Sequence, residues 1–206
     1  MLSPNRKYFF LLVGLYCIIM QGFILATEKG FESLYFCYHR QTYLTEFFKL
    51  ATYLGEWISL AAISFYLLIT NRRALFSALL AFVPLDLLML SLKRALDYPR
   101  PLSYFKQGEI TPIPDFTPLY AHSMPSGHTF TTFFCMTFVL FYFDLNRKWQ
   151  LVLFMLAILV GISRIYLMCH FKEDVFIGSI LGIIAGILAV FIYEKGVKRY
   201  EFRSNQ

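Results

Sequence analysis

The sequence predicts an all-α fold: a bundle of six membrane-spanning helices with a long proline-rich loop between the third and the fourth. Of its 206 residues, 58% are hydrophobic and 16% are charged, whereas a soluble domain carries about 25% charged residues. Each apolar run is close to the roughly 20 residues that a helix needs to cross a bilayer. The predicted spans are residues 8–26, 48–70, 74–92, 128–144, 149–168 and 175–193. Together they form one predicted membrane domain, residues 1–206.

The first apolar run has a signal peptide as its alternative interpretation, because Arg6 and Lys7 precede it. The run is longer than the apolar core of a signal peptide, and no small-residue cleavage site follows it. We therefore expect an uncleaved membrane span.

Basic residues between the spans predict the orientation of the helices. They cluster at Arg6 and Lys7, at residues 71–73, at residues 146–148 and in the tail from residue 194. Under the positive-inside rule these four clusters face the cytoplasm, together with both termini. The other connections then lie on the periplasmic or extracellular side. A compact chain of this kind is typical of a bacterial cytoplasmic (inner) membrane protein.

The net charge of +6 raises the alternative of nucleic-acid binding. The cations lie at the ends of apolar runs, where membrane topology already accounts for them. We therefore predict no nucleic-acid partner, and membrane lipids as the surroundings of the chain.

Proline and glycine mark two special segments. Six of the eight prolines fall between Pro99 and Pro125, which predicts a stiff, non-helical loop typical of a lid or a binding loop. Gly178, Gly182 and Gly186 recur every fourth residue in the sixth span, a spacing that lets another helix approach closely. That helix belongs either to the same chain or to a second copy in a homodimer.

The cysteines and two acids inside apolar runs are less informative. No CxxC pair occurs, so the four cysteines are predicted to be small apolar residues and not a disulfide framework or a zinc site. Asp86 and Glu56 lie within apolar spans, where a carboxylate is costly and often functional. For each acid, a structural partner near a helix end and a role in a site stay open.

Topology predicts that polar residues from distant segments meet at one membrane level. The third and fifth spans leave the membrane on the outer side, and the fourth and sixth enter it there. The residues gathered at that level are Lys93, Arg100, Ser126, Gly127, His128, Arg164, His170 and Asp174.

Most of this set favours an anion. Lys93, Arg100 and Arg164 are cations, and a guanidinium forks two donors onto phosphate oxygens. Ser126 and Gly127 lie at a helix start, where free N–H groups and the dipole also favour negative charge. Phosphate is the anion that such a set predicts.

The histidines supply the chemistry. His170 and Asp174 are spaced i, i+4, so on a helical turn the carboxylate orients one ring nitrogen and leaves the other for attack. His128, on a different helix, is the predicted general acid. The predicted reaction is in-line attack of His170 on phosphorus, followed by hydrolysis of a phosphohistidine by water.

Two rival interpretations use the same residues. Two histidines and an aspartate are ligands that zinc accepts, but the neighbouring cations would repel a divalent ion, so we predict no metal and no other cofactor.

An anion transporter would also need cations, but it needs a polar path across the membrane as well. Only Asp86 and Glu56 supply acids at depth, so hydrolysis is favoured.

The segments "KRALDYPRP" (93–101), "PSGH" (125–128) and "SRIYLMCHFKED" (163–174) resemble the three signature motifs of the type-2 phosphatidic acid phosphatase superfamily. The resemblance implies His170 as nucleophile, Asp174 as the acid that orients it and His128 as general acid. It also implies phosphate binding by Lys93, Arg100, Ser126, Gly127 and Arg164. Members of the family act without a metal on lipid phosphates and diphosphates, and in membrane members the site faces away from the cytoplasm.

The chain departs from the family at two points next to the nucleophile. Lys172 and Glu173 stand where many relatives have a proline and a small polar residue, and "LMC" replaces an expected glycine-containing step. The added charges are expected to alter headgroup preference or the local pKa. Undecaprenyl diphosphate or a related lipid phosphate is the favoured substrate, with phosphatidylglycerol phosphate, phosphatidic acid and lipid A phosphates as alternatives, and phosphotransfer as an alternative reaction.

Overall fold

The computed structural model describes residues 4–204, with side chains for residues 4–196. The described chain is helical and contains no sheet, so the all-α prediction is confirmed. Its helices are α1 (Pro4–Ala26), α2 (Phe31–Tyr38), α3 (Thr42–Thr52), α4 (Trp57–Thr70), α5 (Arg72–Leu96), α6 (Pro101–Tyr104), α7 (Gly127–Tyr142), α8 (Arg147–Tyr166) and α9 (Lys172–Ser204). A single 3₁₀ turn, Tyr53–Gly55, joins α3 to α4 among these residues.

Five helical segments of the described chain are long and apolar enough to cross a membrane. They are Pro4–Ala26, Thr42–Thr70, Arg72–Tyr104, Arg147–Tyr166 and Lys172–Gly196. The predicted count of six is not confirmed, because the fourth predicted span falls on α7, which has only 16 residues. The chain is nevertheless an integral membrane protein by its helix content.

Helix α7 lies at the centre of the bundle, and most of its side chains are buried. It packs most extensively on α9, and also on α8. Phe130, Phe133, Phe134 and Phe138 are almost fully buried in the resulting apolar core. Because burial of large aromatic rings dominates core energetics, this packing fixes the N-terminus of α7 relative to its neighbours.

The glycine row on α9 is used within the chain. A β-carbon at Gly178 would lie 2.5 Å from the carbonyl oxygen of Ser126, and one at Gly186 would lie 2.7 Å from Cβ of Thr137. The absence of side chains therefore lets α9 approach the backbone of α7. Homodimerisation through the same face stays a prediction, and it would require α7 to move away.

The second predicted span, residues 48–70, is interrupted, which the sequence did not predict. Helix α3 ends at Thr52, the 3₁₀ turn follows, and α4 begins at Trp57. Glu56 lies at this break with an extended backbone, as the N-cap of α4. Its carboxylate is therefore at a helix end and not in the interior of an apolar helix.

The proline-rich loop between α5 and α7 is held at its middle, and its two ends are joined to each other. Its predicted lack of helix was wrong at Pro101–Tyr104, where proline occupies the first turn of α6. Arg40 donates to the carbonyl oxygens of Thr111 (2.9 Å) and Pro112 (3.0 Å). The backbone N–H of Arg100 donates to Tyr120 O (3.0 Å). The loop is thereby held against the end of the bundle that carries the candidate site.

Candidate active site

The ends of α5, α7, α8 and α9 meet at one end of the bundle. The N–H of Ser126, before α7, donates to the carbonyl oxygen of Asp174 in α9 (3.0 Å). The N–H groups of Cys169 and His170 both donate to the carbonyl oxygen of Arg164, at 3.0 and 3.2 Å. Ser126 and Asp174, which lie 48 positions apart in the chain, are therefore brought into contact by a backbone hydrogen bond.

His170 lies in the turn between α8 and α9, and not on a helical turn as the i, i+4 spacing had suggested. Met168 in this turn has a φ of 56°, in the left-handed region that glycine adopts most readily. The turn therefore keeps its shape although glycine is absent from "LMC". Asp174 lies in the first turn of α9, where its Oδ2 accepts from Phe171 N (2.9 Å) and from the hydroxyl of Ser123.

The two nitrogens of the His170 ring face opposite kinds of group. Nδ1 is 3.5 Å from Asp174 Oδ2, which is longer than an ordinary hydrogen bond. Nε2 is 3.4 Å from Nη1 of Arg100. The imidazole is only 2% exposed. Burial, assisted by the positive charges of Arg100, Arg164 and Lys93, lowers the pKa of His170 well below 6.5. The ring is therefore neutral at ordinary pH, which is the protonation state that a nucleophile needs.

Two guanidinium groups are fixed around this ring. Arg100 donates from Nη1 to Cys169 O (2.8 Å) and from Nε to Ala121 O (2.7 Å). Arg164 is 3% exposed and donates from Nη1 to Thr52 Oγ1 (2.7 Å). Because several of their donors are already used by the protein, both groups are oriented before any ligand arrives.

The positive charge of the site is not neutralised by ion pairs. Lys93 lies within electrostatic range of Arg100, Arg164 and Asp174. None of the ion pairs among the described residues involves Lys93, Arg100 or Arg164. Three cations close together at the end of a membrane bundle form an arrangement that favours a multiply charged anion.

The start of α7 adds backbone donors and the second histidine. Ser126 precedes the helix and is fully buried, and Gly127 and His128 form its first turn, where N–H groups lack partners within the helix. The side chain of His128 is 28% exposed, and its Nε2 lies 3.6 Å from Oε1 of Glu56. This imidazole is therefore accessible from outside, unlike that of His170.

Two further histidines and a buried cysteine lie at the margin of the site or outside it. His122 is half-exposed at the rim and contacts Lys93 O and Asp97 Oδ1, both at 3.1 Å. Cys169 is adjacent to His170, but burial raises the pKa of its thiol, which keeps it in the unreactive protonated form. His39 is an exposed residue of the α2–α3 connection.

Lys172 does not face the site, contrary to the expectation that it alters the charge beside the nucleophile. Its side chain is fully buried, with Nζ 3.1 Å from Glu32 Oε2 and 2.9 Å from Glu28 O. Its backbone N–H also donates to Glu32 Oε1 (3.0 Å). No local sequence pattern indicates this pairing, because Glu32 lies in a different connection 140 residues away. Lys172 therefore fastens the start of α9 to α2.

Among the described residues, no group of three or more histidine, cysteine, aspartate and glutamate side chains is placed to hold a metal ion. The ring nitrogens of the buried His170 face the carboxylate of Asp174 and the guanidinium of Arg100. Nε2 of the more accessible His128 faces the carboxylate of Glu56. What the geometry offers is an oriented neutral imidazole, a second imidazole and a cluster of cations. Such a set is suited to phosphoryl transfer, which depends on positioning and electrostatic stabilisation.

Sequence comparison identifies relatives that share parts of this arrangement. The chain is 39% identical over 73 residues to a lipid A 1-phosphatase of Porphyromonas gingivalis and 37% identical over 99 residues to phosphatidylglycerophosphatase B of Bacillus subtilis. It is 29% identical over 150 residues to the bacitracin transport permease protein BcrC of Bacillus licheniformis. The match to the lipid A 1-phosphatase covers 35% of this chain and 16% of that protein. The match to phosphatidylglycerophosphatase B covers 42% and 48%, and the match to BcrC covers 70% and 67%, in the same order.

Two solved structures share the fold. LpxE of Aquifex aeolicus is 30% identical, with a TM-score of 0.66 over 77% of this chain and 92% of that structure. A transmembrane PAP2-type phosphatidylglycerolphosphate phosphatase of Bacillus subtilis has a TM-score of 0.65 over 94% of this chain and 98% of that structure. At 24% identity, the second supports the fold alone.

A sequence model of the PAP2 superfamily matches residues 73–198, which hold all three motifs. This match covers more than half of the chain, and it confirms the resemblance that the motifs indicated. The chain therefore belongs to the PAP2 superfamily.

Proposed function

We propose that this membrane protein hydrolyses phosphate esters or anhydrides of lipids through a phosphohistidine intermediate on His170. The observation that carries the proposal is the placement of this ring. Its Nδ1 side faces Asp174 and its Nε2 side faces Arg100, within a buried site that holds three cations. A neutral imidazole in this position can attack a phosphorus atom that the cations hold.

The proposed reaction has two steps. In the first, Nε2 of His170 forms a bond to phosphorus, the bond to the leaving oxygen breaks, and that oxygen takes a proton from His128. In the second, a water molecule gives a proton to His128 and attacks the phosphohistidine. The P–N bond then breaks, which releases phosphate and restores neutral His170. Asp174 orients the ring in both steps.

The remaining site residues bind the phosphoryl group in this proposal. Lys93, Arg100 and Arg164 stabilise charge on its equatorial oxygens. Ser126 and Gly127 contribute the hydroxyl and the N–H groups at the start of α7. The step is drawn without a metal ion, so activity is expected to persist in EDTA.

The proposed topology has six spans, with α7 as a short one. At 1.5 Å per residue, 16 residues rise about 24 Å, less than the roughly 30 Å of a bilayer core. A short central helix would place the site near the outer boundary of the hydrocarbon core, next to the headgroup layer that holds lipid phosphates. Both termini would then face the cytoplasm, with the site on the periplasmic or extracellular side of a bacterial inner membrane.

The test is a substrate panel with the purified protein in detergent. Released phosphate is measured with undecaprenyl diphosphate, phosphatidylglycerol phosphate, phosphatidic acid and lipid A phosphates, with and without EDTA. We favour undecaprenyl diphosphate or a related lipid phosphate as the best substrate. Phosphate transferred to an added alcohol, and not to water, would indicate a phosphotransferase. An active wild-type protein that forms no acid-labile phosphohistidine would overturn the proposed intermediate.

Transport is the rival function, because one relative carries the name of a transport permease. A transporter would move a lipid or an anion across vesicles at a rate that does not depend on His170. The gathering of the cations and histidines at one end of the bundle favours hydrolysis. Orthovanadate, which mimics five-coordinate phosphorus, is expected to inhibit phosphate release, and indifference to it would favour transport.

A further inference from the structure

The single carboxylate that the described structure places against His128 comes from the break between α3 and α4. Oε1 of Glu56 lies 3.6 Å from Nε2 of His128, and the two side chains are similarly exposed, at 29% and 28%. Glu56 lies outside the three motif segments, and its position in an apolar run does not indicate which side chain it contacts.

Close packing of the 3₁₀ turn brings this carboxylate into place. A β-carbon at Gly55 would lie 2.7 Å from Val160 Cγ1, 2.9 Å from Thr132 Oγ1 and 3.0 Å from Cβ of His128. Only a residue without a side chain lets the backbone approach the histidine so closely. Because Gly55 lies against His128, the next residue, Glu56, is placed beside the imidazole.

Two alternative uses of Glu56 are disfavoured by its contacts. As the N-cap residue of α4, it makes no capping hydrogen bond with its side chain. It lies within electrostatic range of Arg164, but this arginine has no carboxylate within ion-pairing distance among the described residues, and its nearest fixed partner is Thr52 Oγ1 at 2.7 Å. The titratable group that lies within ion-pairing distance of the carboxylate is the ring of His128.

The charges around His128 indicate what the Glu56–His128 contact could do. The cations that act on its ring from the neighbouring elements are Lys93, Arg100 and Arg164, and His170 adds to them only when it is protonated. All three cations oppose a positive charge on the imidazole, whereas a general acid must carry a proton when the leaving oxygen departs. Glu56 is the group that favours the protonated ring.

We propose that Glu56 is the positioning residue of the general acid: its carboxylate, 3.6 Å from Nε2 of His128, attracts and orients that side of the ring, so that Nδ1 exchanges the proton with the leaving oxygen and with water. The proposal rests on the proposed function and deepens it. In this proposal each histidine has a carboxylate beside one ring nitrogen. The other nitrogen attacks phosphorus in His170 and exchanges a proton in His128. Glu56 touches neither phosphorus nor the leaving oxygen.

The test uses two substrates that differ in their need for an acid. Lysophosphatidic acid has a poor alkoxide leaving group, whereas p-nitrophenyl phosphate has a good leaving group that departs with little protonation. Glu56→Gln should lower kcat/KM for lysophosphatidic acid by about 10- to 100-fold, within the usual range of general-acid catalysis, but for p-nitrophenyl phosphate by less than about 3-fold. Glu56→Asp should restore part of the loss. Glu46→Gln, in the same span but exposed and paired with Lys49, is the matched control and should behave as wild type.

A double-mutant cycle separates positioning from a structural effect. Because Glu56 acts through His128, Glu56→Gln combined with His128→Ala should lose no more activity than His128→Ala alone. Additive losses, or equal losses on both substrates, would overturn the proposal, and so would wild-type kinetics in Glu56→Gln. A wild-type protein that releases phosphate from neither substrate would instead remove the proposed function, so the two failures are distinguishable.

Discussion

The two histidines of the site lie in contrasting surroundings. His170 is 2% exposed, in a turn held by backbone hydrogen bonds, with its ring between Asp174 and Arg100. His128 is 28% exposed, on the first turn of α7, with Glu56 as its charged neighbour. A nucleophile benefits from a fixed, desolvated and neutral ring, whereas an acid must be reached by the leaving group and by water. In the proposed mechanism, histidine thus takes two different chemical roles because the two sites differ in burial and charge.

The largest effect is expected at the buried histidine. His170→Ala removes the atom that bonds to phosphorus, so phosphate release should fall by at least about 10⁴-fold for every substrate, whatever its leaving group. Released phosphate and the amount of trapped phosphohistidine measure this. His39→Ala, at an exposed histidine that stacks on Tyr35, is the control and should retain full activity. Phosphate release by His170→Ala within tenfold of wild type would mean that another group is the nucleophile.

The orienting carboxylate comes next in size. Asp174→Asn keeps the shape of the side chain but removes the charge beside Nδ1, so the ring loses its preferred tautomer, and kcat should fall by about 10²- to 10⁴-fold. Steady-state kinetics measure the loss, and thermal unfolding in detergent checks that the fold persists. Asp115→Asn, in the exposed part of the loop, is the matched control. A change in KM alone would show that Asp174 acts on binding and not on the nucleophile.

The neutral state of His170 predicts a specific pH dependence. Because its pKa is lowered well below 6.5, the ring stays neutral as the pH falls through 6.5, and kcat/KM should decline only below that lowered pKa. Arg100→Gln removes a cation that faces Nε2, so the pKa rises and the acid limb moves to higher pH. The loss of a charge-assisted contact to phosphate should also lower kcat/KM by about 10- to 100-fold.

The pH profile separates these two effects of Arg100. The control is Arg94→Gln, at an exposed cation next to Lys93, which should change neither the limb nor the rate. An acid limb at the same pH in Arg100→Gln and wild type would contradict the assignment of that limb to His170.

Much of the site followed from the sequence because membrane topology is a strong constraint. Apolar runs predict the helices, and alternating crossings place every second connection on one side. Lys93, His128 and Arg164 could therefore be assigned to one end of the bundle although they are far apart in the chain. The motif residues were also the ones that topology selected.

What the sequence did not reveal depends on contacts between distant segments. Hydropathy is continuous across residues 48–70, so the break at Tyr53–Gly55 was not predicted, and neither was the approach of Glu56 to His128. The left-handed turn at Met168 lacks the glycine that would have signalled it. Each of these features is specified by packing against another helix, which a single local pattern does not encode.

The smallest effect is expected at the charged residues next to the nucleophile that only fasten the fold. Lys172→Met alone leaves the carboxylate of Glu32 buried without its partner, which costs about 3–5 kcal/mol, so the unfolding temperature should fall. Lys172→Met with Glu32→Gln removes both charges and keeps an acceptor for the backbone N–H of residue 172. Glu173, whose Oε1 is 3.3 Å from Lys172 Nζ, is 26% exposed, and its Oε2 is buried without a hydrogen-bond partner. The double variant also leaves this carboxylate without its cation, so it should recover only part of the lost stability.

The same double variant tests whether Lys172 selects the headgroup. Since its ammonium group is buried against Glu32 and Glu28, it takes no part in binding the phosphate in the proposed mechanism. The ratio of kcat/KM for a diphosphate lipid to that for a monophosphate lipid should therefore change by less than about 2-fold. A shift of tenfold or more would show that Lys172 reads the headgroup. In that case the region around His170 would combine catalysis with specificity, and the contrast with His128 would lie in selectivity as well as in burial.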